Sequence, residues 1–229
     1  MVTMKNIING LTLYLAIAIN IGCNSNSPKQ IAKKNNSIDT THSVKIDTAH
    51  SVKIDNYWVT PKKYLEFNSL GKENSDTLTL VICSDYVYSP FGSIKDSLGL
   101  KLSLLNNFSI TDRLYSTDIE PQKLQILKFK NSRLMLFFDS DPEASTHSYI
   151  LKGEIHDIEV RFTNNIKIGM STGDFYKSFF DYFPEEIQQR YKYVQFESCV
   201  EDIKHIYTFN NNKLSSVKFI SDTYWKLDY

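Results

Sequence analysis

Glycine is scarce in this chain, eight among 229 residues, and no cluster of them could cradle a phosphate. Charge of either sign is not in excess: 26 basic residues balance 26 acidic ones. Residues 1–56 hold six Lys and three Asp, which leaves 20 basic and 23 acidic residues in 57–229. A nearly neutral region without a basic stripe excludes nucleic acid as the expected partner. Long apolar runs are also missing. The strongest, Leu11–Ile19, falls short of the ~20 apolar residues that a membrane-spanning helix needs. No Ser or Cys stands in a recognisable nucleophile elbow or activating context. The chain therefore reads as a protein that uses no cofactor and is not an enzyme.

What is present begins with that short apolar run. Lys5 precedes it, Asn9 and Asn20 bound it, and Ile21-Gly22-Cys23 follow. Its length fits the apolar centre of an export signal. Met4-Lys5 offers an alternative start with a more typical charged lead. Gly22 and Ile21 agree with a lipobox, whereas Asn20 departs from it. The expectation is a signal peptide over 1–22 with lipidation at Cys23; the alternative is a plain cleaved signal and a soluble secreted or periplasmic protein. Either way the chain is exported. Lipidation makes the membrane a partner through the N-terminal lipid.

If Cys23 carries lipid, Cys83 and Cys199 remain, and an oxidising compartment permits one disulfide between them. Both lie in strand-like stretches, where buried free thiols are also common.

Residues 23–56 are polar and poor in aromatics. They carry a tandem octapeptide, Thr40-Thr-His-Ser-Val-Lys-Ile-Asp47 and Thr48-Ala-His-Ser-Val-Lys-Ile-Asp55. Two such copies cannot build a solenoid, and so few large apolar residues cannot offset the entropy of ordering. The segment reads as a linker, and His42 and His50 have no further ligands nearby. Aromatic residues resume at Tyr57-Trp58, where the folded domain, 57–229, is expected to start. With 41% hydrophobic residues, 14 Tyr and 14 Phe, the chain has ample material for a core.

Within the domain, Thr77–Cys83 is β-rich, Ile126–Phe129 and Leu134–Phe138 flank a hairpin signal, and Ser148–Phe162 forms a long strand candidate whose phase slips near His156-Asp157, as at a bulge. Ser171–Phe183 reads as a helix capped by Ser171 with Asp174 three residues on, with Phe175, Phe179, Tyr182 and Phe183 on one face and Pro184 as its stop. Strands over about Tyr191–Cys199, Ile203–Phe209 and Leu214–Ile220 follow, the last two joined by Asn210-Asn-Asn-Lys213. Two halves correspond at a spacing near 80: Phe129-Lys-Asn-Ser-Arg-Leu134 lies over Phe209-Asn-Asn-Asn-Lys-Leu214, and Phe91–Leu98 over Thr172–Phe179. Leu78, Leu80 and Ile82 lie over Ile158, Val160 and Phe162. The expected fold is α+β: two tandem helix-plus-antiparallel-sheet units, about 75–150 and 151–229, packed side by side.

Ile168-Gly-Met-Ser-Thr-Gly-Asp-Phe-Tyr-Lys-Ser-Phe179, followed by Tyr207-Thr-Phe-Asn-Asn-Asn-Lys-Leu214, resembles the BamE-like and β-lactamase-inhibitor-protein-like lipoprotein folds. The resemblance covers about 166–220 best and implies a fold rather than an activity, with Gly169 and Ser171 serving a turn and a helix cap.

Two polar clusters bear on chemistry. Asp139-Ser-Asp-Pro-Glu143 alternates carboxylates as calcium loops do, but lacks the central Gly and the distal Glu. Glu154-Ile-His156, with Asp157 and Glu159, supports the alternative of an envelope hydrolase or metal-binding enzyme. The favoured reading is a non-catalytic binding protein of the bacterial cell envelope, an assembly accessory or an inhibitor or immunity-type protein, whose partner is another envelope or secreted protein. Its expected contact aromatics are Tyr86, Tyr88, Tyr191, Tyr193, Tyr207 and Trp225, with Phe91 and Tyr224 beside them, because Tyr and Trp bind at low entropic cost.

Overall fold

A computed structural model describes residues 50–115, 121–138, 148–200 and 202–221. Signal 1–22, Cys23, the first octapeptide, the 139–143 carboxylates, Tyr224 and Trp225 lie outside the described residues.

The second octapeptide is not all linker. Val52–Ile54 forms strand β1, a hairpin partner of β2 (Tyr57–Pro61) in which Ile54 faces Tyr57 across the turn. Ile54 is buried, the Ser51 and Thr60 hydroxyls lie 2.7 Å apart, and Asp55 pairs with Arg190 at 2.9 Å. Residues of the repeat therefore belong to the described fold, ahead of the expected start at Tyr57.

The expected pair of α+β units is replaced by one large, mostly β structure. Ten further strands follow: β3 (Phe67–Asn74), β4 (Thr77–Ile82), β5 (Ser109–Tyr115), β6 (Gln122–Phe129), β7 (Ser132–Phe137), β8 (Ile150–Ile155), β9 (Phe180–Tyr182), β10 (Tyr193–Ser198), β11 (Ile203–Asn210) and β12 (Lys213–Ser221). The described helices are short: α1 (Asp85–Tyr88), α2 (Ser97–Leu102), α3 (Thr172–Phe179) and α4 (Glu185–Gln188). Nine strands make a single mixed sheet in the order β3-β4-β10-β11-β12-β8-β7-β6-β5, and β1-β2-β9 make a small second one. Two self-contained units would each close on their own strands. Instead β4 pairs in parallel with β10, and β8 joins the halves by pairing with both β12 and β7.

The repeat also shifts between sequence and structure. The β6–β7 turn is closed by Phe129 and Ser132, the β11–β12 turn by Asn210 and Lys213, a spacing of 81 rather than 80. A register shift after Thr208 absorbs the extra residue. Ile158, Val160 and Phe162 belong to no strand, because β8 stops at Ile155. There Asp157 folds inward: its carboxylate accepts from the Asn131 amide at 3.0 Å and the Ser132 hydroxyl at 2.5 Å, tying the loop to the β6–β7 turn. Gly153 lets β7 approach, since a Cβ there would lie 2.6 Å from the Arg133 carbonyl oxygen.

Local signals held where they were strongest. Ser171 accepts from the Asp174 amide at 3.1 Å and donates to its carboxylate at 2.7 Å, a capped start for α3. Gly169, at φ +86°, makes the preceding turn, and its amide donates to the Leu214 carbonyl at 2.7 Å. The helix ends at Phe179, not Phe183. Phe180 is extended and pairs with Pro61, while Tyr176 stacks on Phe183 at 3.8 Å. An aromatic run can satisfy a helical face and then a strand, so periodicity overran the true end.

Contacts from α1, α2, α3 and the Phe91 loop reach the nine-stranded sheet on one face: Tyr86 of α1 meets Phe196 at 6.0 Å. Phe175 of α3 meets Tyr207 at 4.9 Å and Phe209 at 5.0 Å, Phe91 meets Phe219 at 5.7 Å, and Ser97 of α2 accepts from Gln125 at 2.5 Å. This helix-covered side holds the main core. A smaller cluster, Leu124, Ile126, Met135 and Leu151, alternates with it and lies on the opposite side.

Candidate functional site

Burial reassigns most of the expected contact aromatics. Tyr86, Tyr191, Tyr207 and Phe91 are buried in the main core and cannot meet a partner in this conformation. The Tyr86 and Tyr207 hydroxyls lie 2.6 Å apart, and burial pushes both far above the ordinary phenol pKa. Tyr88 is half-buried with its hydroxyl 2.7 Å from Ser198 Oγ. Tyr193 alone of the described set stands on the face away from the helices, alternating with buried Val194 and Phe196. Lys192 lies over its ring at 5.0 Å, and its ammonium pKa is raised by the Tyr193 hydroxyl.

The Glu154–His156 cluster does not assemble. His156 Nε2 lies 3.3 Å from Glu154, Asp157 is committed to Ser132 and Asn131, and Glu159 pairs with Lys130, which holds its carboxyl below the usual range. Among the described residues no group of three or more His, Cys, Asp or Glu could hold a metal.

Cys83 and Cys199 are joined as a disulfide with Cα atoms 5.2 Å apart. They sit just past the ends of β4 and β10, and the Cys199 amide donates to the Ile82 carbonyl at 3.0 Å. Beside the bridge is an open cleft of ≈ 800 Å³, walled by Tyr64, Tyr86 and Tyr88 and edged by Glu66 and Asp85. Its described lining contains no histidine and no cation, so it offers no acid–base pair of separated character.

Below that cleft His205 is buried in the aromatic core, 4.8 Å from the Phe219 ring and 6.2 Å from Tyr86. Burial lowers its pKa to about 3, against a smaller upward effect of the Val87 backbone, so it is neutral at neutral pH. Its place in β11, between Ile203 and Tyr207 on the core side, was readable from alternation and marks it as a core histidine.

The face away from the helices is ordered by register into rows. One row runs Thr79, Gln195, Ile206, Lys218, Glu154, Arg133, Lys128 from β4 to β6. The next runs Val81, Glu197, Lys204, Ile220, Lys152, Met135, Ile126. Directly opposed side chains sit about 5 Å apart, close enough to interact in pairs. Lys204 and Glu197 form a salt bridge at 2.9 Å, and Glu154 stands between Lys218 and Arg133. Among the described residues no helix packs on these rows.

The chain matches no protein-family model, no curated protein and no solved structure.

Proposed function

We propose that this is an exported, lipid-anchored, non-catalytic binding protein of the bacterial cell envelope, which presents the helix-free sheet face to another envelope or secreted protein. One observation carries the reading. Strands β4, β10, β11, β12 and β8 set polar, aromatic and aliphatic side chains in register on one face, with Thr79 and Gln195 buried and Tyr193, Glu197, Lys204, Ile206, Lys218 and Ile220 half-buried or exposed, while the core aromatics are withdrawn to the other side. Such a surface offers area and hydrogen bonding without a reaction centre, as protein recognition requires. The Cys83–Cys199 bridge favours an oxidising compartment, where disulfides persist. The 166–220 likeness to envelope lipoprotein folds and the Ile21-Gly22-Cys23 sequence support the same location.

The test is site-directed photo-crosslinking in living cells, with a photoreactive amino acid replacing Tyr193 or, on the helix side, Lys177 in the full chain. The expected result is one protein adduct from position 193 and none of that species from 177. Equal yields at both positions, or none from 193, contradict the reading.

A further inference from the structure

The cleft beside the disulfide carries negative charge that its described lining does not answer. Glu66 and Asp85 edge it, both are exposed, and neither has an ion-pair partner among the described residues. Backbone bonding brings their segments together: the Cys83 amide donates to the Glu66 carbonyl at 3.1 Å, and Asp85 follows Cys83 by two residues. Ser84 lines the same cleft. It stands at the N-cap of α1, where a serine hydroxyl ordinarily accepts from an amide of the first turn. Here it caps nothing. Ser84 is only 6% exposed, and its Oγ has no hydrogen-bond partner. A buried hydroxyl without a partner is disfavoured, which points to a group that arrives with a ligand. The aromatic wall is engaged at its polar ends. Tyr64 donates to the Ser178 carbonyl at 2.5 Å, and the Tyr88 hydroxyl lies 2.7 Å from Ser198 Oγ, so both offer the cleft their rings. Tyr64 is 45% exposed and Val200, which also lines the cleft, 77%, so apolar surface stands uncovered beside the two carboxylates.

We infer that this cleft is a binding site for an organic cation with an apolar body, a guanidinium or ammonium group on a hydrocarbon stem. The site is separate from the sheet face proposed above and does not depend on it. Each part of the lining has a matching part in such a ligand. Carboxylates take N–H cations in charge-assisted hydrogen bonds, tyrosine rings attract a cation held over them, and the Ser84 hydroxyl accepts one further N–H. The stem covers Tyr64 and Val200. A metal ion fits less well, since calcium takes roughly six to eight oxygen ligands. Among the described residues no group of three or more His, Cys, Asp or Glu could hold one. An anion would meet two carboxylates and no compensating charge in the described lining. The ≈ 800 Å³ of the cleft is more than a bare ion fills and suits a compact organic ligand. A free amine or guanidine and an Arg or Lys side chain of a polypeptide offer the same chemistry.

Titration calorimetry of the full chain, with its disulfide intact, tests the site with two cationic probes and their neutral counterparts. Butylguanidinium is the free cation and butylurea its uncharged match. Acetyl-Leu-Arg-Leu-amide carries the same group on a peptide, and the peptide with citrulline in place of Arg is its uncharged match. The expected result is saturable binding of at least one cationic probe. Its affinity should fall by roughly tenfold or more in the neutral counterpart and in the paired variant Glu66→Gln, Asp85→Asn. Ser84→Ala should lower it in the same direction by less. Disulfide formation and thermal melting confirm that the variants fold; if the paired variant does not, the two single substitutions and the neutral counterparts decide. Binding of the peptide alone makes a polypeptide the source of the cation, and binding of butylguanidinium makes a free small molecule sufficient. No saturable binding of either cation, equal binding of the neutral counterparts, or binding that the carboxylate substitutions leave intact overturns the inference. None of these results bears on crosslinking from position 193, so the sheet-face reading stands or falls separately.

Discussion

Lowering the pH from 7 to about 4.5 is expected to cost the native chain roughly 2–3 kcal/mol more unfolding free energy than it costs a His205→Leu variant. His205 lies in the aromatic core with a pKa of about 3, while the unfolded chain holds it near its ordinary value of 6.5. Between those limits the unfolded state binds a proton that the folded state refuses. Stability is therefore full above pH 6.5 and falls by about 1.4 kcal/mol for each pH unit below it. Below about pH 3 the folded state binds the proton as well and this contribution flattens. Carboxylates add their own acid sensitivity, which the comparison with the variant subtracts. Leucine keeps an apolar group among Phe219, Tyr86 and Tyr207 without a titrating ring. Urea unfolding at the two pH values reads the difference directly. Equal acid losses in the two proteins contradict the burial of a neutral histidine.

The second large effect concerns the bridge. Cys83 and Cys199 are separated by 116 residues, so the disulfide closes a long loop in the unfolded chain. Removing it with Cys83→Ala and Cys199→Ala is expected to destabilise the domain by roughly 3–5 kcal/mol. For a domain of this size that corresponds to a fall in Tm of roughly 6–20 °C. The position of the bridge adds to the expectation. It staples the ends of β4 and β10, the only parallel pair in the sheet among the described residues, and β4 otherwise pairs only with β3. Scanning calorimetry of the two proteins under non-reducing conditions checks it. A variant that melts within about 2 °C of the native chain would show that β4 holds its place without the covalent link.

Much of the local structure was legible in the sequence because its causes are local. Ser171 with Asp174 specifies a helix start, and Asn211-Asn212 supplies the two positive-φ positions of a tight hairpin. The order of strands was not legible. Leu78-Leu80-Ile82 and Val194-Phe196 each announce a strand with one buried side, but nothing within either segment says that they lie next to each other in parallel. That choice is made by distant packing, and it turned two expected units into one sheet. The apparent duplication misled for the same reason: common hairpin chemistry at Lys130-Asn131 and Asn211-Asn212 gave matching residues at neighbouring spacings without matching sheet connections.

The candidate surface was half legible. Alternation in β11 already set Ile203, His205, Tyr207 and Phe209 on one side and Lys204, Ile206 and Thr208 on the other, so Tyr207 could have been withdrawn from the contact set. The same phase argument sends Tyr193 outward from β10. Tyr86 and Tyr191 lie off the strands, where period-two reasoning has no purchase and only packing decides.

The claim that this sheet face is occupied by a partner is tested most directly by amine labelling of the full chain, once purified and once in intact envelopes. Lys218 on the helix-free face and Lys177 on α3 are both exposed, so both label readily in the purified protein. Occupancy of the face predicts that Lys218 is protected several-fold in envelopes while Lys177 labels as before. Equal labelling of Lys218 in the two settings, or protection of Lys177 instead, would contradict it.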